Sequence, residues 1–282
     1  MLTELVALTR REFLKLARNP QAIFTALLLP ILYLVLFGQG FSINPASLVP
    51  NATPQEIQAL LDQYFLGAPN YYSYFAVGMV GFVAVTATLF AGANVIFDKL
   101  FGIFRRTRGT PAPSAAVFGS RLIAAAVQPI LLSLFVLGLA IAFAHTGRIH
   151  GLNVTSTVGV VGAGEVLAAI ILLSLMFATV FLTLGILIDV PQSYFAVVNT
   201  INLPVLLTSN ALYPWATMPG WLKSISSYNP VSLAVSTMRE NLFGTAAFPY
   251  PPLVYLGGLL AWTVALVTIA ILLVRRALRP LE

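Results

Sequence analysis

Apolar runs of about twenty residues alternate with shorter polar segments along this chain, and that length suits a helix crossing a bilayer. Six such runs stand out, at 21–41, 75–97, 122–144, 166–188, 194–212 and 253–274. Pro30, Pro129 and Pro204 each fall inside one of them and predict kinks rather than breaks. Ahead of the first run, residues 2–18 alternate with a helical period. Leu2, Leu5, Val6, Phe13 and Leu16 share one face, and Glu4, Arg11, Lys15 and Arg18 share the other. A basic face opposite Leu and Phe predicts a helix lying in the membrane interface, ended by Asn19-Pro20. Between the first two runs, residues 42–74 carry four prolines and the acids Glu56 and Asp62 but no Lys or Arg, with a helix start at Thr53-Pro54-Gln55-Glu56. Residues 213–252 are rich in proline and aromatics. Within them Asn229 as N-cap, Pro230 at N1 and Gly244 as a stop predict one capped helix. Its Arg239-Glu240 pair is too polar for lipid, so the helix is expected on the outer side or dipping partly into the membrane. It does not count as a seventh span.

Composition agrees with this pattern. Of 282 residues 59% are hydrophobic and 9% charged, far below the roughly 25% charged residues of soluble domains. The expected fold is all-α: a polytopic membrane protein with six transmembrane helices, an N-terminal amphipathic interfacial helix and short extracytoplasmic helices before the sixth span. A formal charge of +6 invites a nucleic-acid partner, but the charges cluster between apolar runs, where they encode orientation instead. With six spans, Arg10, Arg11, Lys15, Arg18, Lys99, Arg105, Arg106, Arg108, Arg121, Arg275, Arg276 and Arg279 lie on the side of the termini. Only Arg148, Lys223 and Arg239 lie on the other. That asymmetry places both termini in the cytoplasm, in a multi-pass cell-membrane protein.

Candidate chemistry is sparse. There is no cysteine and there are only two histidines, so neither a disulfide nor a multi-histidine metal site is expected. No nucleophile elbow, zinc-binding histidine pair or paired intramembrane carboxylate occurs. Glu165 and Asp189 stand at opposite ends of the fourth run, about 36 Å apart in a helix, and no ionisable residue occupies the middle of any run, as a proton or ion relay would need. Asn94, Gln128, Asn199 and Asn202 lie in or near the spans. They either join helices by hydrogen bonds or line a substrate path.

The charged interval at 97–121 holds Lys99, Arg105, Arg106, Arg108 and Arg121 together with Phe101, Ile103 and Phe104. It reads either as a topogenic cytoplasmic loop or as a contact surface. Taken in order, several motifs resemble the permease subunit of type-2 ABC transporters, in the drug-export (daunorubicin-resistance-like) branch. They are Arg18-Asn19-Pro20 before a span with Pro30 and Leu36-Phe37-Gly38, the basic loop with Thr110-Pro111, and Tyr228-Asn229-Pro230 running to Arg239-Glu240-Asn241-Leu242-Phe243-Gly244. The likeness covers essentially the whole chain as a single permease domain, 1–282. It departs at Asp98-Lys99-Leu100-Phe101-Gly102, where the family loop commonly has a carboxylate followed by glycine.

The resemblance implies two permeases side by side, as a homodimer or with a sister subunit, and two cytoplasmic ATPase subunits. It assigns ATP and Mg to those ATPases, and this chain has no phosphate-binding loop of its own. It further implies that Leu100, Phe101, Ile103, Phe104, Arg105, Arg106 and Arg108 face the ATPase. Arg11, Lys15 and Arg18 of the N-terminal helix would assist, and a small hydrophobic drug-like or lipid-like substrate would pass between the paired permeases. The alternatives left by the sequence are export of a polysaccharide or lipid-linked glycan and, from another class, a secondary carrier or channel needing no ATPase.

Overall fold

A computed structural model describes residues 9–10, 14, 20–40, 53–65, 67–102, 114–145, 151–154, 158–244 and 250–277. Among them every regular element is helical. In chain order these are α1 (Pro20–Gly40), α2 (Pro54–Phe65), α3 (Tyr71–Thr86), α4 (Leu89–Leu100), α5 (Ser114–His145), α6 (Val160–Leu187), α7 (Pro191–Leu207), a 3₁₀ turn (Trp215–Thr217), α8 (Gly220–Tyr228), α9 (Pro230–Phe243) and α10 (Pro252–Ala277).

By length and composition, four stretches of the described residues are able to cross a membrane: Tyr71–Leu100, Phe118–Ala144, Val160–Leu187 and Pro252–Val274. They carry the second, third, fourth and sixth runs of the sequence. The first run is α1, with Pro30 inside an unbroken 21-residue helix. The fifth is α7, a 17-residue helix with Pro204 inside it. It stops at Leu207 rather than reaching residue 212, because the Thr208 and Ser209 hydroxyls turn back onto the Pro204 and Leu206 carbonyls.

The second run is longer than its apolar core and is divided. It starts at Tyr71, where the Asn70 side chain accepts the Ser73 amide at 2.7 Å. It breaks at Ala87-Thr88, where Thr88 N–H bonds to Val85 and Ala91 N–H to Thr88, a tighter 3₁₀ spacing. The Tyr194 hydroxyl from α7 donates to the Leu89 carbonyl at 2.7 Å beside this break. Beyond the break α4 crosses α6 at glycines: a Cβ on Gly185 would meet the Gly92 backbone, and one on Gly92 would meet the Phe181 carbonyl. Small residues permit this approach without any polar glue.

α6 is the hub, packing against α3, α4, α5, α7, α9 and α10. The buried share of the most apolar stretch separates inner from outer helices: 72% for Tyr71–Leu100 and 67% for α6, against 28% for Phe118–Ala144 and 22% for Pro252–Val274. α5 and α10 thus turn exposed apolar faces outward, including Leu131 and Phe135 on one and Val264 and Leu272 on the other. The helix start at Thr53 is a reciprocal capping box. Glu56 Oε2 accepts from the Thr53 amide at 2.7 Å and the Glu56 amide donates to Thr53 Oγ1 at 3.3 Å. Those bonds hold the Glu56 carboxyl below its ordinary range.

Candidate functional site

α9 forms where the sequence predicts it. Asn229 Oδ1 accepts the Val231 amide at 2.9 Å, Pro230 sits at N1, and Gly244 closes the helix with φ 63° and ψ 41°. Asn229 also has a second task that the capping pattern does not reveal. Its Nδ2 donates to the Val205 carbonyl at 2.7 Å and to Thr208 Oγ1 at 3.0 Å. One amide therefore ties the start of α9 to the end of α7.

The polar pair judged too polar for lipid lies on a helix buried within the protein itself. Val231 through Arg239 are all buried, packed among α3, α6 and α10. Arg239 is 0% exposed; carbonyl groups accept from both of its terminal nitrogens, while Nε is buried without a hydrogen-bond partner among the described residues. Nη1 donates to Asn210 O at 2.8 Å, and Nη2 donates to Tyr74 O at 2.8 Å and Ala211 O at 3.1 Å. Its guanidinium carbon lies 3.4 Å above the centre of the Tyr74 ring. The Tyr74 hydroxyl in turn donates toward the Asn210 and Tyr213 carbonyls, at 2.8 and 2.7 Å. Gly78 lets the turn come this close, since a Cβ there would collide with the Ala211 carbonyl. The planar fork of arginine suits several acceptors at once, and the polypeptide after α7 is wrapped around it.

Next along α9, Glu240 is partly buried near Glu165 of α6. Asn241 Nδ2 donates to Glu165 Oε2 at 2.8 Å and to Thr237 O at 3.0 Å. Burial, and then the neighbouring Glu165 charge, push the Glu240 carboxyl up to about 7.

The ends of the charged interval form a second polar group. α4 runs on to Leu100 and α5 begins at Ser114, so Arg121 belongs to a helix and not to the loop. Its Nη2 meets Asp98 Oδ2 at 2.8 Å, with both side chains nearly buried. The adjacent Lys99 reaches the other way. Its Nζ donates to the Ile186 and Ile188 carbonyls at 2.6 and 3.1 Å and to Asp189 Oδ1 at 2.8 Å. A cation on the last carbonyls of α6 is favoured by the helix dipole. α4 is thus fastened to α5 and to α6 one residue apart. Glu165 and Asp189 serve different partners, in line with their separation along α6.

The expected site residues distribute unevenly over this frame. Leu100 and Phe101 are exposed, at 59% and 73%, where the interval leaves α4. Ile103, Phe104, Arg105, Arg106 and Arg108, and Arg11, Lys15 and Arg18 of the N-terminal helix, lie outside the described residues. Of the four span amides, Asn94 and Asn199 are exposed, Gln128 is half-buried and Asn202 is buried. No hydrogen bond joins any two of them among the described residues. Asn202 Oδ1 is buried there without a hydrogen-bond partner. Sequence reasoning passed over Tyr74 and Asn210, and it read Lys99 only as a basic residue of the charged interval.

A family model for the ABC-2 type transporter matches residues 3–243. That match takes in α1 through α9. The chain belongs to the ABC-2 type transporter family. Its members are permease subunits of ABC transporters, and the all-helical, apolar architecture is that of a multi-pass membrane transport protein. Among relatives, the ycf38 transport permease of Porphyra purpurea is 29% identical over 242 residues, covering 85% of this chain and 74% of that protein. The daunorubicin resistance ABC transporter permease DrrB1 of Streptomyces coeruleorubidus is 28% identical over 181 residues, 64% of this chain and 60% of that protein. The doxorubicin resistance ABC transporter permease DrrC of Mycobacterium tuberculosis is 23% identical over 255 residues, 90% of this chain and 80% of that protein.

Proposed function

We propose that this ABC-2 permease is the membrane-spanning subunit of an ATP-driven exporter that moves a small hydrophobic, drug-like or lipid-like substrate out of the cytoplasm. The observation that carries this reading is the family match over residues 3–243; the likeness to permeases named for daunorubicin and doxorubicin resistance adds the substrate class. In this reading α1 and α7 complete six spans with both termini cytoplasmic, and the N-terminal helix lies in the interface with Arg11, Lys15 and Arg18 toward the cytoplasm. Two permease copies, or this chain and a sister, form the path, with Asn94, Gln128, Asn199 and Asn202 as candidate polar groups along it. Two separate ATPase subunits bind ATP and Mg.

The segment from Leu100 to Arg108 faces the ATPase. Two exposed apolar side chains, Leu100 and Phe101, directly follow the Asp98 and Lys99 attachments to α5 and α6. A push on Leu100 and Phe101 therefore reaches α4, and through the Asp98 and Lys99 contacts α5 and α6.

The test is a pair of vesicle preparations, one with this chain alone and one co-expressed with a separate ABC ATPase. ATP-dependent export of a hydrophobic fluorescent dye, and stimulated ATPase activity, are expected only in the second. Reversing both Arg105 and Arg106 to Glu should abolish both signals while leaving the permease in the membrane. Dye flux through the chain alone without ATP would overturn the reading in favour of a carrier or channel.

A further inference from the structure

α8, α9 and α10, with Asn210 and Trp215 from the segment after α7, line a cavity of roughly 440 Å³, within the range of small-molecule sites. Its walls and its floor differ in chemistry. Five aromatic side chains line it: Trp215, Tyr228, Tyr250, Tyr255 and Trp262. Trp262, Tyr228 and Tyr250 are 43%, 75% and 58% exposed and form a rim. Trp262 is set in place by its indole N–H, which donates to the Tyr228 carbonyl at 3.0 Å.

The polar lining is Asn210, Ser226, Ser227, Ser232 and Ser236. All but the exposed Ser227 are at most 5% exposed, so buried hydroxyl and amide groups form the floor. They are pre-arranged by one another. Ser226 and Ser232 share a hydrogen at 2.8 Å, Ser232 Oγ accepts the Asn210 amide N–H at 3.0 Å, and Ser236 Oγ accepts from Asn210 Nδ2 at 2.9 Å. The remaining Asn210 atom, Oδ1, is buried and has no partner among the described residues. A buried amide oxygen left without a donor costs free energy. No lining residue carries a charge, so neither a phosphate nor an ammonium group finds a counter-ion here.

Aromatic faces above neutral hydroxyl and amide groups match a ring that is apolar on its flat side and hydroxylated at its edge. We propose that this cavity binds an uncharged glycosyl group, its C–H face stacked on the aromatic rim and its hydroxyls directed to Asn210 and the serine floor. Aromatic residues that merely mark a membrane interface point outward to headgroups; these converge on one concavity with a polar base. The same sugar chemistry comes either from a free glycoside or from the head of a glycolipid. Binding here requires neither ATPase nor transport, so it stands or falls independently of the export function proposed above.

The full chain, purified without glycosidic detergent and placed in phosphatidylcholine nanodiscs, offers a direct readout. Two of its three tryptophans, Trp215 and Trp262, line the cavity. Octyl β-glucoside below its micellar concentration should change the tryptophan fluorescence saturably, whereas an octyl tetraethylene glycol ether of the same chain length should not. Trp262→Leu should weaken glucoside binding about tenfold or more through loss of a stacking face. Ser236→Ala, which removes a floor hydroxyl, should weaken it about threefold. Displacement by methyl β-glucoside marks a site for the free sugar, and displacement only by alkyl glucosides marks a glycolipid head; both support the proposal. An equal response to the glycol ether, no saturable response to any glucoside, or unchanged affinity in both variants would overturn it.

Discussion

The guanidinium of Arg239 stacks 3.4 Å over the ring of Tyr74 while donating to the backbone carbonyl of that same residue at 2.8 Å. One side chain of α9 thereby grips α3 twice and holds the turn after α7 through Asn210 and Ala211. A buried cation needs compensation, and here main-chain oxygens on both terminal nitrogens and a π-face supply it in place of a carboxylate. Removing Arg239 should accordingly separate α9 from α3. Arg239→Ala is expected to lower stability by at least about 3 kcal/mol, seen as a fall in the thermal unfolding midpoint in detergent. Arg239→Lys should recover little, because an ammonium has neither the fork nor the planar stacking surface. Tyr74→Phe keeps the ring and loses only the hydroxyl's bonds, so its cost should be about 1–2 kcal/mol.

The Asp98–Arg121 pair is nearly buried, with 2.8 Å between the charged atoms. Neutralising one partner leaves the other charge buried, at a cost of about 3–5 kcal/mol. Asp98→Asn and Arg121→Gln should each destabilise the protein strongly. The double variant should cost clearly less than the sum of the two. A strictly additive double-mutant cycle in thermal melts would show that the pair is not coupled.

At the Gly92–Gly185 crossing a Cβ on residue 185 would lie 2.6 Å from the Gly92 Cα. Backbone on the far side cannot swing away as a side-chain tip can. Gly185→Ala should therefore push α4 from α6 and cost about 1–3 kcal/mol or more. Gly138→Ala, where nothing lies within 4 Å, is the matched control and should be silent or mildly stabilising through helix propensity. Protease sensitivity near the end of α4 would report the difference.

Glu240 supplies a pH dependence. Its carboxyl is raised in the folded protein from 4.5 to about 7 by burial and by Glu165. A raised folded pKa means that the native state prefers the protonated form. Its stabilising effect is then complete below the unfolded value and is lost as pH climbs through about 7. Thermal stability should decline between pH 5 and pH 8, and Glu240→Gln should flatten that slope. A wild-type profile that rises over the same interval would contradict the assignment.

Hydrophobic period, helix caps and charge balance can each be read without any partner in space, because they depend on neighbours within a few residues. They were enough to predict an all-α chain with long apolar helices, a helix start at Thr53-Pro54-Gln55-Glu56, and a helix from Pro230 to Phe243 closed by Gly244. Motif order was enough to point to the ABC-2 permeases, the family later shown by the match over residues 3–243. What the tertiary structure alone decided is where polar groups find their partners. The polarity of Arg239-Glu240 argued against lipid; packing put α9 inside the protein, where its arginine meets carbonyls contributed from 28, 29 and 165 positions earlier in the chain. Arg121 looked like one more loop cation and instead pairs with Asp98. Lys99, one of the basic residues of the charged interval, also caps α6 from 87 residues away. The serine-floored cavity, likewise, draws its lining from three α-helices and the segments between α7 and α10. A local pattern specifies that a group must be satisfied, whereas packing alone specifies by what.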